Sequence, residues 1–361
     1  MLKIYFNDIY YFYIKSKKKT KQMQSLKSRL LNEAKKIAKN FYENAGGMVQ
    51  PSTKEELISE IRTRLDSGIL DLNSIDTSRI TDMEELFADF RDYDLRNIDI
   101  SEWDVSNVTN MYRMFGYCKD FTADLSKWDV SNVEDMSYMF QYCETFDSDL
   151  SRWNVSNVRD MAEMFEGCYK FNSDLSKWNV SKVENMSAMF SNCREFNSDL
   201  SRWKVSKVEN MFSMFSSCKI FNSDLSKWDV SNVENMESMF YGCEKFNSDL
   251  SKWDTSMVKD MSGMFTHCFR FNSDLSKWNT SNVRNMESMF CNCHFFNSDL
   301  SNWDVSNVTN MSLMFSDCYD FDQDLSKWNI SRVKVMSGMF RRCKKFDLAG
   351  LKWSVGKAKL K

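Results

Sequence analysis

From about residue 70 onward, apolar positions recur in one fixed order every 25 residues. Every tryptophan lies on a single comb, from Trp103, Trp128 and Trp153 through to Trp353, with no slip in spacing. Cysteines from Cys118 to Cys343 follow the same comb, with only Cys291 off it, and methionines recur in pairs from Met111/Met114 to Met336/Met339. The unit reads F-N-S-D-L-S-K-W-D-V-S-N-V-x-x-M-x-x-M-F-x-x-C. A fixed period of this length predicts a solenoid, in which each unit buries its apolar face only against its neighbours.

Two shorter periods are visible inside one unit. Val133, Met136, Met139, Phe140 and Cys143 are spaced 3, 3, 1 and 3, the apolar stripe of a short helix. Ser131 with Glu134 supplies a capping box, repeated at Ser181/Glu184, Ser206/Glu209 and Ser231/Glu234. Trp128 and Val130 alternate with Lys127 and Asp129, the two-residue period of a strand. The expected fold is therefore α/β: a leucine-rich-repeat-like solenoid with one short strand and one short helix per 25-residue coil.

The spacing Leu125-x-x-Trp128-x-Val130-x-x-Val133 resembles a leucine-rich-repeat strand segment. Met139-Phe140-x-x-Cys143-x-x-Phe146 is similar to the second half of BspA-type repeats. The unit as a whole resembles the 25-residue repeats of mycoplasma lipoprotein-associated domains and BspA-like bacterial surface proteins, over roughly residues 70–355. That resemblance implies surface display or secretion and adhesion to cells. Trp, Met and Phe stand where Leu is usual.

The ends differ from the array. Residues 1–48 carry 11 Lys/Arg against 3 Asp/Glu, a net of +8; with the whole chain at −3, the remainder is −11. An amphipathic helix is expected through Leu26, Leu30, Ala34, Ile37 and Phe41, making residues 1–48 a basic leader that offers membrane-surface contact through residues 15–41. The opening stretch lacks the order of a signal peptide and contains no lipobox cysteine, and Met23 is an alternative start. Residues 49–72 are expected to form a helical N-terminal cap, with Ser52 and Glu55 as its capping box and Leu57, Ile58, Ile61 and Leu65 facing the first coil. Ile75 to Phe87 reads as a degenerate first unit, followed by three extra residues before Trp103. The solenoid then runs over residues 73–356, with a basic tail at 357–361. At the far end, Phe340, Phe346, Trp353 and Val355 are expected to line an open apolar face, a route to end-to-end self-association through residues 340–355.

Composition narrows the chemistry. Mean hydropathy is −0.52 and no apolar run is long enough to span a membrane. Two histidines, His267 and His294, leave little for His-dependent catalysis, and near-identical units supply few unique residues for an active site. The expectation is a non-enzyme without cofactor or metal. The cysteine column reads as buried, reduced filler. The Asp column (Asp124, Asp149, Asp174 and onward to Asp324) reads as carboxylates held by the backbone N–H groups of their own turns, with calcium between coils as the alternative. The Trp column reads as core.

The candidate binding surface is the exposed face of the predicted strands: Lys127, Asp129, Arg152, Asn154, Lys177, Asn179, Arg202, Lys204, Lys227, Asp229, Lys252, Asp254, Lys277 and Asn279. Its mixed charge argues against a phosphate track, hence no nucleic acid. The expected role is a non-catalytic scaffold for a protein partner, a surface or secreted adhesion protein. The alternative is an intracellular interaction module tethered by the basic N-terminal helix.

Overall fold

The structure, a computed structural model, describes Arg29, Glu33, residues 48–351 and Trp353. The amphipathic helix expected over residues 15–41 lies outside the described residues apart from Arg29 and Glu33, which are helical and exposed. Val355 and the tail also lie outside them.

The chain is a stack of 25-residue coils joined along the stacking axis by backbone hydrogen bonds. One coil shows how. Met136, Tyr138, Phe140 and Tyr142 donate their N–H groups to the carbonyls of Asp160, Ala162, Met164 and Glu166 in the next coil, at 3.1, 2.7, 2.9 and 2.6 Å. A parallel bridge of one residue per coil runs beside them, from Asp82↔Asn110 through Asn110↔Asp135 to Asn310↔Val335.

The expected secondary structure within each coil is not what forms. The segment from Met136 to Cys143 is a run of tight turns, closed by Met139 N–H to Met136 C=O, Gln141 to Tyr138 and Cys143 to Phe140, at 3.2, 3.0 and 2.9 Å. Tyr138 and Tyr142 have φ of 60° and 56°, the left-handed third position that a type II turn demands. An α-helix points every carbonyl along its own axis; here alternate N–H groups point along the stack instead. Since a helix of two turns is marginal by itself, the arrangement that pairs each coil with its neighbours prevails. The capping boxes dissolve with the helices: Glu134 N–H donates to Thr109 C=O of the preceding coil at 2.8 Å. The strand expected at Trp128–Val130 is likewise replaced by extended chain between two turns, Leu125–Trp128 and Val130–Val133.

The apolar positions fill the interior in continuous columns, and Trp, Leu, Val, Met, Phe and Cys of each inner coil are buried. Successive Phe rings of the Phe115 column lie 5.6–5.8 Å apart. Those of the Phe121 column, as far as Phe321, lie 5.9–6.1 Å apart. Trp rings in contact are 6.2–6.5 Å apart. Hydrogen-bonded backbones approach to about 4.8 Å. Under one screw motion per coil, displacement grows with distance from the screw axis. The bridge face is therefore nearest that axis, hence concave, and the Trp side is convex.

The N-terminal end is covered by α1, Lys54–Asp66, whose Leu57, Ile61 and Leu65 are buried and whose Ile58 is half-buried. Its N-cap is Thr53, one residue later than expected: Thr53 Oγ1 accepts from Glu56 N–H at 3.2 Å, and Ser52 N–H donates to Glu56 Oε2 at 2.8 Å. Val49 pairs with Ile75 and so extends the stack by one strand-like contact. The 3₁₀ turn Ala88–Phe90 buries Phe90, and the three extra residues before Trp103 fall between Tyr93 and Ile100, where Ile98 N–H closes a turn on Leu95 C=O at 3.3 Å. At the other end Phe340 is buried, stacked on Phe346 at 4.1 Å, with Trp353 at 6.2 Å. Phe340 is thus not part of an open face; Phe346 and Trp353 are half-buried.

Candidate interaction surfaces

The constant polar residues of the unit are consumed by the scaffold. In F-N-S-D-L, each Asn accepts from the backbone of the next, as Asn172 Oδ1 does from Asn197 N–H at 2.8 Å. Each Ser hydroxyl accepts from the preceding coil, as Ser198 Oγ does from Leu175 N–H at 2.9 Å. Each Asp takes the N–H two residues on, as Asp174 Oδ1 does from Ser176 at 2.9 Å. The Ser N–H and then the Ser hydroxyl hold the carboxyls of Asp174, Asp199, Asp224, Asp249, Asp274 and Asp299 below the usual aspartate range. The Asp column is a turn device.

Each Trp Nε1 donates to a carbonyl of the preceding coil, Ile100 for Trp128 and Leu for the others, as Trp228 does to Leu200 at 3.0 Å, so ring and polar edge are both satisfied inside. Each Cys Sγ of the comb lies against a Phe carbonyl, 3.0 Å for Cys193 to Phe165. Burial pushes the thiols up, to about 12 at Cys118 and Cys343, which suppresses the thiolate. Among the described residues no group of three or more His, Cys, Asp or Glu could hold a metal ion, and no helix is long and apolar enough to cross a membrane.

All fourteen residues of the predicted face, Lys127 and Asp129 through Lys277 and Asn279, are exposed. They flank the Trp column on the convex side, Lys127 and its equivalents in a turn and Asp129 and its equivalents on the extended link to the next turn, not on strands. Their chemistry scarcely changes from coil to coil: Lys or Arg, then Asp, Asn or Lys.

A second surface is built from the x positions of the unit, which vary freely except at the bridge column of Asp135, which is Asn or Asp from Asn110 to Asn310. In the coil containing Trp128 these are residues 134, 135, 137, 138, 141, 142, 144 and 145. They flank the bridge and the turns, so they lie along the concave, hydrogen-bonded side. Their net charge runs from −3 in that coil (Glu134, Asp135, Glu144) to +5 in the coil of Trp328 (Lys334, Arg341, Arg342, Lys344, Lys345).

Near the N-terminal end this surface is tyrosine-rich and internally paired. Tyr112 meets Tyr138 at 5.5 Å and Tyr117 meets Tyr142 at 5.1 Å, with the Arg91 and Arg113 guanidiniums 5.5 and 5.1 Å from the Tyr117 ring. Gln141 Nε2 donates to both Glu163 and Glu166, at 2.6 and 2.8 Å. Burial, then the neighbouring Glu166, pushes Glu163 up to about 7. Further along, Tyr241, His267, Phe269, His294 and Tyr319 form a ladder of ring contacts at 5.6, 5.9, 5.1 and 4.6 Å, and Lys344 Nζ stands 4.6 Å from the Tyr319 ring. Sequence reasoning passed over this surface because it placed the binding face on the predicted strands. Their variability against an otherwise fixed unit was the signal available.

A family model described as a mycoplasma protein of unknown function, DUF285, matches residues 58–178, 160–278, 219–301 and 260–360. A comparison with curated proteins finds no match. Among solved structures, the crystal structure of a TLR13–ssRNA13 complex aligns with 82% of this chain at 12% identity and a TM-score of 0.28. This chain spans about half, 52%, of that one, and the likeness is too slight to bear on fold or ligand.

Proposed function

The chain belongs to the mycoplasma DUF285 family, and we propose that it is a non-catalytic protein-interaction scaffold, displayed at the cell surface or secreted for adhesion, the role that the resemblance of its repeat to BspA-like proteins implies. The observation that carries this reading is the division of labour within the repeat. Constant residues are consumed in holding coils together, while varying residues gather on one concave strip. Such a strip supplies area and local chemistry without a closed site, which suits recognition of a macromolecule more than turnover of a small substrate. The convex Lys/Asp face is the second candidate surface, favoured by its complete exposure but offering nearly the same chemistry at every coil.

Two measurements on cells test the reading. Protease applied to intact producing cells should remove the protein, and labelled full-length protein should bind target cells saturably. Protection from protease in intact cells, with release on lysis, would favour an intracellular module tethered by residues 15–41.

A further inference from the structure

The repeat provides its own control for what a surface position needs. The column occupied by Phe295 holds Thr145, Lys170, Glu195, Lys245, Arg270 and Asp320 in other coils, so the scaffold requires nothing apolar there. Yet Phe295 is 58% and Ile220 45% exposed in that column. Phe212 and Tyr241 are likewise exposed at varying positions where other coils, Tyr112 apart, carry small or polar side chains, and Val335 is exposed where the other coils carry Asn or Asp. Packing explains none of the five. Exposed apolar groups gathered on one side of a molecule mark a contact surface.

The chemistry beside them gives the partner. The ring ladder ends at the most basic coil of the strip, where Arg342 and Lys345 pair with Asp317 and Asp320 at 2.9 and 2.7 Å. Lys334 and Arg341 make no ion pair among the described residues. Resting on the scaffold reading, we propose that the concave strip from Phe212 to Lys345 docks an acidic protein segment with apolar anchors. The anchors lie over the ring ladder and Phe295, and the carboxylates lie toward the last coil. A nucleic acid fits less well. Bases need open ring faces, but Phe269, His294 and Tyr319 spend theirs on one another, stacked at 26° and 15°. Glu244, Glu287, Asp317 and Asp320 also interrupt any phosphate track.

Fluorescence anisotropy with the full chain tests this, using a labelled peptide of Phe and Glu spaced by Ser. Phe295→Ser and Arg341→Glu should each weaken binding about tenfold or more, as should Lys for Glu in the peptide, while Lys127→Glu on the convex side leaves it unchanged. Equal weakening by Lys127→Glu and Arg341→Glu would overturn the proposal, since the attraction would then be unlocalised charge. Tighter binding of an oligothymidylate than of the peptide would overturn it in favour of nucleic acid. Loss of cell binding by Phe295→Ser with no peptide binding would overturn the acidic partner and leave the scaffold reading standing.

Discussion

Trp228 illustrates how a single side chain serves the stack. Its ring lies 6.4 Å from Trp203 and 6.2 Å from Phe215, and its Nε1 satisfies the Leu200 carbonyl. Trp228→Ala should cost on the order of 3–5 kcal/mol, as large-to-small core changes do, read as a lower midpoint in urea unfolding. Glu163 gives a prediction of opposite character. Its folded value of about 7 lies above the unfolded value of about 4.3. The folded chain thus holds the proton more tightly, and the stability it confers is lost as pH rises between those values. Glu163→Gln should therefore stabilise the protein at pH 8 and have little effect at pH 4, measured by unfolding at both. The core residues were legible in the sequence because each recurs at every coil. The Glu163–Glu166 pair was not, because it occurs once and depends on Gln141 and Tyr138 of the preceding coil.

At the scale of the coil, the apolar spacing 3, 3, 1, 3 fits a helix and a chain of turns equally well, and periodicity alone could not separate them. Glycine could have. Gly263 and Gly338 share the column of Tyr138, and Gly167 and Gly242 share that of Tyr142, all at φ of 62–73°. Glycine recurring at fixed interior positions is unfavourable to a helix and natural to a left-handed turn. The other members of these columns adopt the same φ without glycine's freedom, as Ser238 does at 55°. Ser238→Gly should therefore gain up to about 1 kcal/mol, relief of left-handed strain outweighing the added chain entropy. A lower denaturation midpoint for that variant would show that the turn is not strained.

For the molecule as a whole, stacking was legible from the period, but curvature was not, because it depends on how far apart bulky columns hold the coils. The Trp column from Trp103 to Trp353, with contacting rings 6.2–6.5 Å apart, has a contour of about 63 Å over its ten steps, against about 48 Å at strand spacing. Small-angle scattering should show an elongated, bent particle; a compact sphere of this mass would contradict the stack. The division between constant scaffold and varying concave strip is tested most directly by a substitution scan of residues 200–345 that reads folding and cell binding in parallel. Changes at Trp, Met, Phe and Cys columns should lower stability, changes at the varying positions should abolish binding alone, and changes at Lys227, Asp229, Lys252 and Asp254 should affect neither. Binding losses concentrated on that Lys/Asp face, with the concave strip tolerant, would contradict the account.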